Sequence, residues 1–209
     1  MSSAVMKLRQ LEIALEKLEG YDAPKADLEQ YPTPPVLAAR LLYHALLQGD
    51  IADRRVCDLG CGTGVLSCGA ALLGAARVVG VDIDAGALTI ARRNAAVTGI
   101  VVEFVARAVD DHLTDLGAFD TVVMNPPFGA QKTHADRPFI DAALLLAPTT
   151  YAIFNEGSRT FVTSYIGGRA EVTDTVIARL PLRRTFAFHR KDTVEITAEI
   201  LRIRRRTHG

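Results

Sequence analysis

The stretch CDLGCGTG, residues 57–64, sets Gly60, Gly62 and Gly64 two residues apart, directly after an apolar run. Glycines at that spacing permit a tight turn and let a ligand lie against the backbone where a helix begins. A dinucleotide loop would carry G-x-G-x-x-G and offer the helix N-terminus to a pyrophosphate. Here Asp58 precedes the glycines instead, and an acid suits a ligand with a cationic amine. The next apolar run ends VVGVDID, where Asp82 is placed to accept both hydroxyls of a ribose. Loop and acid together predict a nucleoside-type ligand at the carboxyl ends of a parallel sheet. The plainer reading, a strand-to-helix turn with Asp84 as helix cap, requires neither Asp58 nor Gly64. A second stretch, VVMNPPFGAQ (122–131), stops an apolar run with Asn125, Pro126, Pro127 and Phe128. Two prolines fix φ and lack N–H groups, so this loop presents carbonyls in a rigid frame.

The elements that must position these loops follow from periodicity. Short apolar runs alternate with helical stretches: RVCDLG, a helix from about residue 64, RVVGVD, a helix from about 84, VEFVA, DTVVMN, a helix from about 136, and YAIFN. That alternation predicts a parallel sheet covered by helices on both faces. AEVTDTVIARLPL and VEITAEILRIR are longer and alternating, as an antiparallel pair closing one edge would be. Upstream, Val5, Leu8, Leu11, Leu15 and Leu18 recur at helical spacing and stop at Gly20. YDAPKADLEQYPTPP then reads as a proline-punctuated link, and PVLAARLLYHALLQ (35–48) resumes a helix with proline at its start. The expected division is a helical extension over 1–28 and one domain over 29–209.

Composition narrows the class. With 209 residues, 49% of them hydrophobic, the chain can build one sizeable core. Lys and Arg total 24 and so do Asp and Glu, so no whole-molecule field draws a polyanion. The distribution differs: from Arg179 onward nine basic residues face three acids. Cys57, Cys61 and Cys68 have no metal-ligand spacing and are expected as small buried thiols in a reducing compartment. The N-terminus lacks a signal-peptide pattern, and no apolar run approaches the ~20 residues of a membrane span. A cytoplasmic location is expected.

DLGCGTG, GVDID and NPPF, in that order, resemble a class I S-adenosylmethionine-dependent methyltransferase, and the tetrapeptide resembles the motif of enzymes that methylate a planar amino group. LEQYPTPPVLAARLLYHA, DLGCGTGVLSCGAALLGA, FDTVVMNPPFGAQ and FHRKDTVEITAEILRI are together similar to the archaeal and eukaryotic family that makes N6-methyladenosine in small-subunit ribosomal RNA. The likeness covers residues 28 to 203 or so. It implies a Rossmann-like, doubly wound α/β fold with a mostly parallel seven-stranded sheet and an antiparallel C-terminal edge strand.

The resemblance also assigns roles. An exocyclic amine conjugated to a ring is a poor nucleophile and must be aimed. The Asn125 side-chain carbonyl and the Pro126 backbone carbonyl would accept its two hydrogens, Pro127 would stiffen the loop, and Phe128 would stack a flipped-out adenine, worth about 1–3 kcal/mol. Gln30 and Thr33 would fold over the cofactor, although Thr33 could equally cap the helix that follows. Ile83 would flank Asp82. Many family members carry an acid after the third strand for the cofactor's adenine amine; here Ala108 stands there, leaving Asp110, Asp111 or a backbone carbonyl to take it. His189, Arg190 and Lys191 match a basic turn and are expected on RNA phosphates, while His44 and His134 receive no role. No metal is implied. The third strand, VVEFVARAV (101–109), would lie at a sheet edge and add a strand from a small zinc-binding activator protein. Two other functions share these motifs. One is a protein glutamine-N5 methyltransferase, in which the aromatic is usually tyrosine and a larger N-terminal domain precedes the core. The other is a scaffold that binds cofactor and RNA without turnover.

Overall fold

The computed structural model describes residues 6–127, 134–183 and 193–206. Strands β1 (Arg55–Leu59), β2 (Arg77–Asp82), β3 (Glu103–Ala106), β4 (Thr121–Met124), β5 (Thr149–Asn155), β6 (Ala170–Arg183) and β7 (Thr193–Arg205) form one sheet in the order β3-β2-β1-β4-β5-β7-β6. The first five pair in parallel. β7 runs antiparallel to both β5 and β6, so the expected pair closes the edge with β7 inside and β6 outermost.

Helices α1 (Leu8–Leu15), α2 (Pro35–Leu47), α3 (Val65–Leu72) and α4 (Ala85–Thr98) cover one face; α5 (Arg137–Leu146) and α6 (Ser158–Ile166) cover the other. Strand alternation feeds both layers. Tyr151 and Ile153 of β5 point into the core under α1–α3, and Ala152 and Phe154 into the core under α5 and α6. Segment 1–28, read as an extension, delivers Leu11 and Leu15 fully buried into the first core, where they meet α2 and α3. All three cysteines are free and buried.

The parallel strands end together at one rim of the sheet. Their carboxyl ends carry Leu59, Asp82 and Met124, so the loops that begin at Gly60, Ile83 and Asn125 converge there. β3 is the outer strand on the β2 side, with Glu103 and Ala106 exposed.

Candidate active site

A cavity of about 370 Å³ opens at this rim. Gln30, Thr33, Asp58, Gly60, Asp82, Ile83, Ala108, Asn125 and Pro127 all line it. Gly62 and Gly64 shape the loop beneath, and Pro126 is buried behind it. Phe128, His189, Arg190 and Lys191 lie outside the described residues.

The three glycines adopt left-handed backbone, with φ of 68°, 52° and 82°. Gly64 shows why: a Cβ there would meet the Ala91 Cβ at 3.0 Å and the Phe104 ring at 3.3 Å, so a side chain would push α4 and β3 off α3. The turn aims the Gly62 N–H at the Asp82 carboxylate, 2.7 Å away. The other Asp82 oxygen accepts the Asp84 N–H at 2.9 Å. Asp82 is therefore clamped by two backbone donors, and lone pairs remain on both oxygens for a ribose diol. Burial raises its pKa, and the bonds from Asp84 and Gly62 oppose the rise.

Asp58 is 1% exposed. One oxygen accepts the Ser67 hydroxyl at 2.6 Å; the other is buried without a partner. Burial pushes the carboxyl up to about 7, with Ser67 pulling it back and Asp82 adding repulsion. An orphaned acceptor beside a cavity fits a charged amine, which would satisfy the oxygen and hold the carboxylate ionised.

Residues 21–33, expected as a link, form a strap across the cavity mouth. Tyr21, Leu28, Gln30, Tyr31 and Thr33 line it, and the Tyr21 hydroxyl lies over Gly62. Asp84 ties the strap down: its Oδ1 accepts from Lys25 Nζ at 3.0 Å and its Oδ2 from Gln30 Nε2 at 2.8 Å. Asp84 also caps α4 through the Gly86 N–H at 3.0 Å. The Gln30 and Lys25 hydrogen bonds hold its carboxyl down at about 2. Gln30 thus closes the strap over the site through Asp84.

Thr33 does not cap α2, whose N-cap is Pro34 without a side-chain bond. Its hydroxyl accepts the Asn125 Nδ2–H at 2.9 Å. That bond turns the Asn125 carbonyl oxygen toward the remaining partners, and the Tyr31 hydroxyl donates to it at a long 3.4 Å. Phe139 of α5 supports the wall: a Cβ at Gly60 would stand 2.7 Å from its ring. His134, given no role from sequence, lines the mouth with φ of 66°. Asp110 instead accepts the His112 N–H at 3.0 Å and caps a 3-10 turn, so Ala108 and Val109 make the cavity wall there. The side chain of Asp111 lies outside the described residues. Asp84 caps α4 as the plainer sequence reading had it, but its bonds to the strap, and Tyr21, Lys25 and Tyr31 themselves, were missed by motif because their partners are distant in sequence.

Residues 37–164 match the methyltransferase small domain family. The chain belongs to that family. It is 38% identical to the rRNA N(6)-adenosine-methyltransferase METTL5 of Danio rerio, across 94% of this chain and 98% of that protein. A solved structure from Pyrococcus horikoshii, provisionally described as an RNA methyltransferase, superposes with a TM-score of 0.83 at 36% identity, covering 95% of this chain and 96% of that one. A Methanocaldococcus jannaschii protein named for N5-glutamine methylation is 34% identical over only 38% of this chain and 39% of its own.

This methyltransferase uses S-adenosylmethionine, which supplies a methyl group activated by its sulfonium. The residues present fit it: the free Asp58 oxygen suits the amino group, clamped Asp82 the ribose, and Ile83 and Ala108 line the cavity wall beyond Asp82 where the adenine would lie.

Proposed function

We propose that this methyltransferase modifies the exocyclic N6 amine of an adenosine in small-subunit ribosomal RNA. The observation that carries the reading is the Asn125 amide at the cavity wall, one N–H of which is held by Thr33 while its oxygen, met by the Tyr31 hydroxyl at a long 3.4 Å, keeps acceptor capacity for an amine. An amine donating hydrogens to that carbonyl and to the backbone of Pro126 is turned so that its lone pair faces the bound methyl group. Neither acceptor need become a formal base. Phe128, next in sequence, offers a face to the flipped base, and His189, Arg190 and Lys191 take phosphates. A relative named for rRNA N6-adenosine methylation that aligns over nearly the whole chain supports RNA; the glutamine-methylating name aligns over little more than a third.

The same reading gives the chain a partner, a small zinc-binding activator that adds a strand to β3. Its support is the position of β3 at the sheet edge and Val101, which is 92% exposed. The edge is guarded. Arg107 N–H donates inward to the Asp82 carbonyl at 2.9 Å, so by alternation the Phe104 carbonyl points outward, and Arg92 Nη2 caps it at 3.1 Å. An arriving strand replaces Arg92. The proposed domain is 29–209 with α1 docked from the preceding segment, and three buried free thiols support a cytoplasmic setting.

Incubation with methyl-labelled S-adenosylmethionine and a mixture of ribosomal RNA and total protein tests the substrate class. Label is expected in ribonuclease-sensitive material; label in protein overturns the reading.

A further inference from the structure

Beside the acceptor side of the cavity lies a surface that the reaction leaves unused. Arg137 opens α5 directly before Pro138 and Phe139, two residues of the cavity wall. Its guanidinium lies 5.8 Å from the Phe161 ring centre and 5.1 Å from that of Tyr165, both on α6, and its Nε is buried with no hydrogen-bond partner. Phe161 and Tyr165 stack at 5.9 Å, and Arg169 covers Tyr165 at 5.3 Å. Arg169 then lines a groove of about 350 Å³ with Asp141, Leu144, Leu145, Arg205 and Arg206. Leu145 is 53% exposed. Arginines and aromatics therefore alternate in one strip, from the cavity rim along α5 and α6 to the end of β7.

The charge of the strip is one-sided. Residues 158–169 contain no acid, and among the described residues the acids paired with these arginines are Asp141 and Glu171. Asp141 accepts the Tyr165 hydroxyl at 2.6 Å and Arg169 Nη1 at 2.7 Å; Glu171 lies 3.8 Å from Arg206. Arg205 is turned to the α5 carbonyls of Leu144 and Leu145. Among the described residues, four guanidinium groups with two paired carboxylates leave a net positive track, with Asp136 and Glu199 lying at the rim end where α5 and α6 begin. The guanidiniums of Arg137 and Arg169 lie over rings, and such planes can stack unpaired bases and bind phosphate; Arg169 already donates from Nε to the Ile166 carbonyl, from Nη1 to Asp141 and from Nη2 to the Tyr165 carbonyl, so a phosphate meets its remaining N–H groups.

We infer that this strip is the track for the RNA strand flanking the acceptor adenosine, holding phosphates on Arg169 and Arg206 and an unpaired base against Arg137. The inference rests on RNA being the substrate. The track starts at the rim where a flipped base must enter, so a strand laid along it feeds the cavity without crossing the strap at residues 21–33.

The test is fluorescence anisotropy of the full chain with a labelled single-stranded fragment of small-subunit ribosomal RNA, titrated across salt. Replacing Arg169 and Arg206 together, as Arg169→Gln with Arg206→Gln, should lower the log–log salt slope by about 1.4 and weaken binding about tenfold at low salt. S-adenosylmethionine affinity should stay unchanged. Arg169 also braces α5 on α6, so Asp141→Asn supplies the opposite sign: removing this carboxylate should tighten RNA binding several-fold even as it lowers the melting temperature. A bracing role alone would cost stability and leave RNA affinity and slope where they were, and that result overturns the inference. If the wild-type chain methylates ribosomal RNA while these variants bind it normally, only the track fails; if the wild type methylates no RNA, the functional reading fails with it.

Discussion

The Asn125 side-chain nitrogen donates to the Thr33 hydroxyl at 2.9 Å, joining the acceptor loop to the strap across 92 residues of sequence. An amide free to flip would present its NH2 to the substrate amine half the time, and two donors repel. Thr33 is thus a positioning residue. Thr33→Val keeps the shape and removes the acceptor, and should lower kcat about tenfold to a hundredfold, a loss of roughly 1.5–3 kcal/mol, with KM for S-adenosylmethionine little changed. Thr33→Ser should restore the rate. Single-turnover kinetics with ribosomal RNA measures both.

Asp84 joins strap and cofactor side by binding Lys25, Gln30 and the start of α4 at once. Asp84→Ala should speed dissociation of S-adenosylmethionine about tenfold or more, and destabilise the chain by about 1 kcal/mol through the lost cap. Lys25→Met, which removes one partly exposed ion pair, should have a far smaller effect. Stopped-flow dissociation rates decide: equal rates in wild type and Asp84→Ala would show that the strap does not hold the ligand.

Burial of Asp58 gives a pH signature. Its carboxyl sits at about 7 in the ligand-free protein, above the unfolded value of about 4. The folded state therefore binds the extra proton, and ligand-free stability falls as pH rises from about 4 to about 7. An ammonium on the free oxygen favours the carboxylate, so S-adenosylmethionine affinity should fall roughly tenfold per unit below pH 7, with proton release on binding, and level off above it. Calorimetry in buffers of different ionisation enthalpy reads both effects. Asp58→Asn should abolish the pH dependence.

Much of this site was legible because its chemistry is local. Gly60, Gly62 and Gly64 announce a left-handed turn, and Asp82 ends a strand whose neighbour carries that turn, so spacing alone brings them together. The strap was not legible. Tyr21, Leu28 and Tyr31 are seven and three residues apart, but Pro24, Pro32 and Pro34 interrupt any helix, and Lys25 meets Asp84 across 59 residues, so the segment looked like a polar link. Periodicity marked Leu11 and Leu15 as one apolar face, but not that α2 and α3 would receive it; Gly69, where a Cβ would collide with Leu42, makes room for that contact. The β6–β7 pair was evident from alternation. Which strand lay inside was not, because an alternating pattern suits either position.

The edge of β3 offers a clean substitution. Ala106 has an exposed side chain, and alternation from inward-bonded Arg107 turns its N–H outward. Ala106→Pro should remove one donor from an added strand while keeping the bonds to β2. Co-purification with the activator should drop sharply with the melting temperature of the isolated chain little altered. Arg92→Ala, which uncaps the Phe104 carbonyl, should strengthen the association. An isolated chain that stays soluble, active and unpaired at micromolar concentration would contradict the partner.

The central claim is that Asn125 aims an adenine amine at the methyl group without holding the cofactor. Nucleoside mass spectrometry of ribosomal RNA treated with wild type or Asn125→Ala, paired with calorimetry of S-adenosylmethionine binding, tests it most directly. N6-methyladenosine should appear with wild type and vanish with Asn125→Ala, whose cofactor affinity stays within about twofold, under 0.5 kcal/mol, while Asp82→Ala loses affinity heavily. Methyl on any other nucleoside, or an Asn125→Ala variant that loses the cofactor as badly as Asp82→Ala, would contradict it.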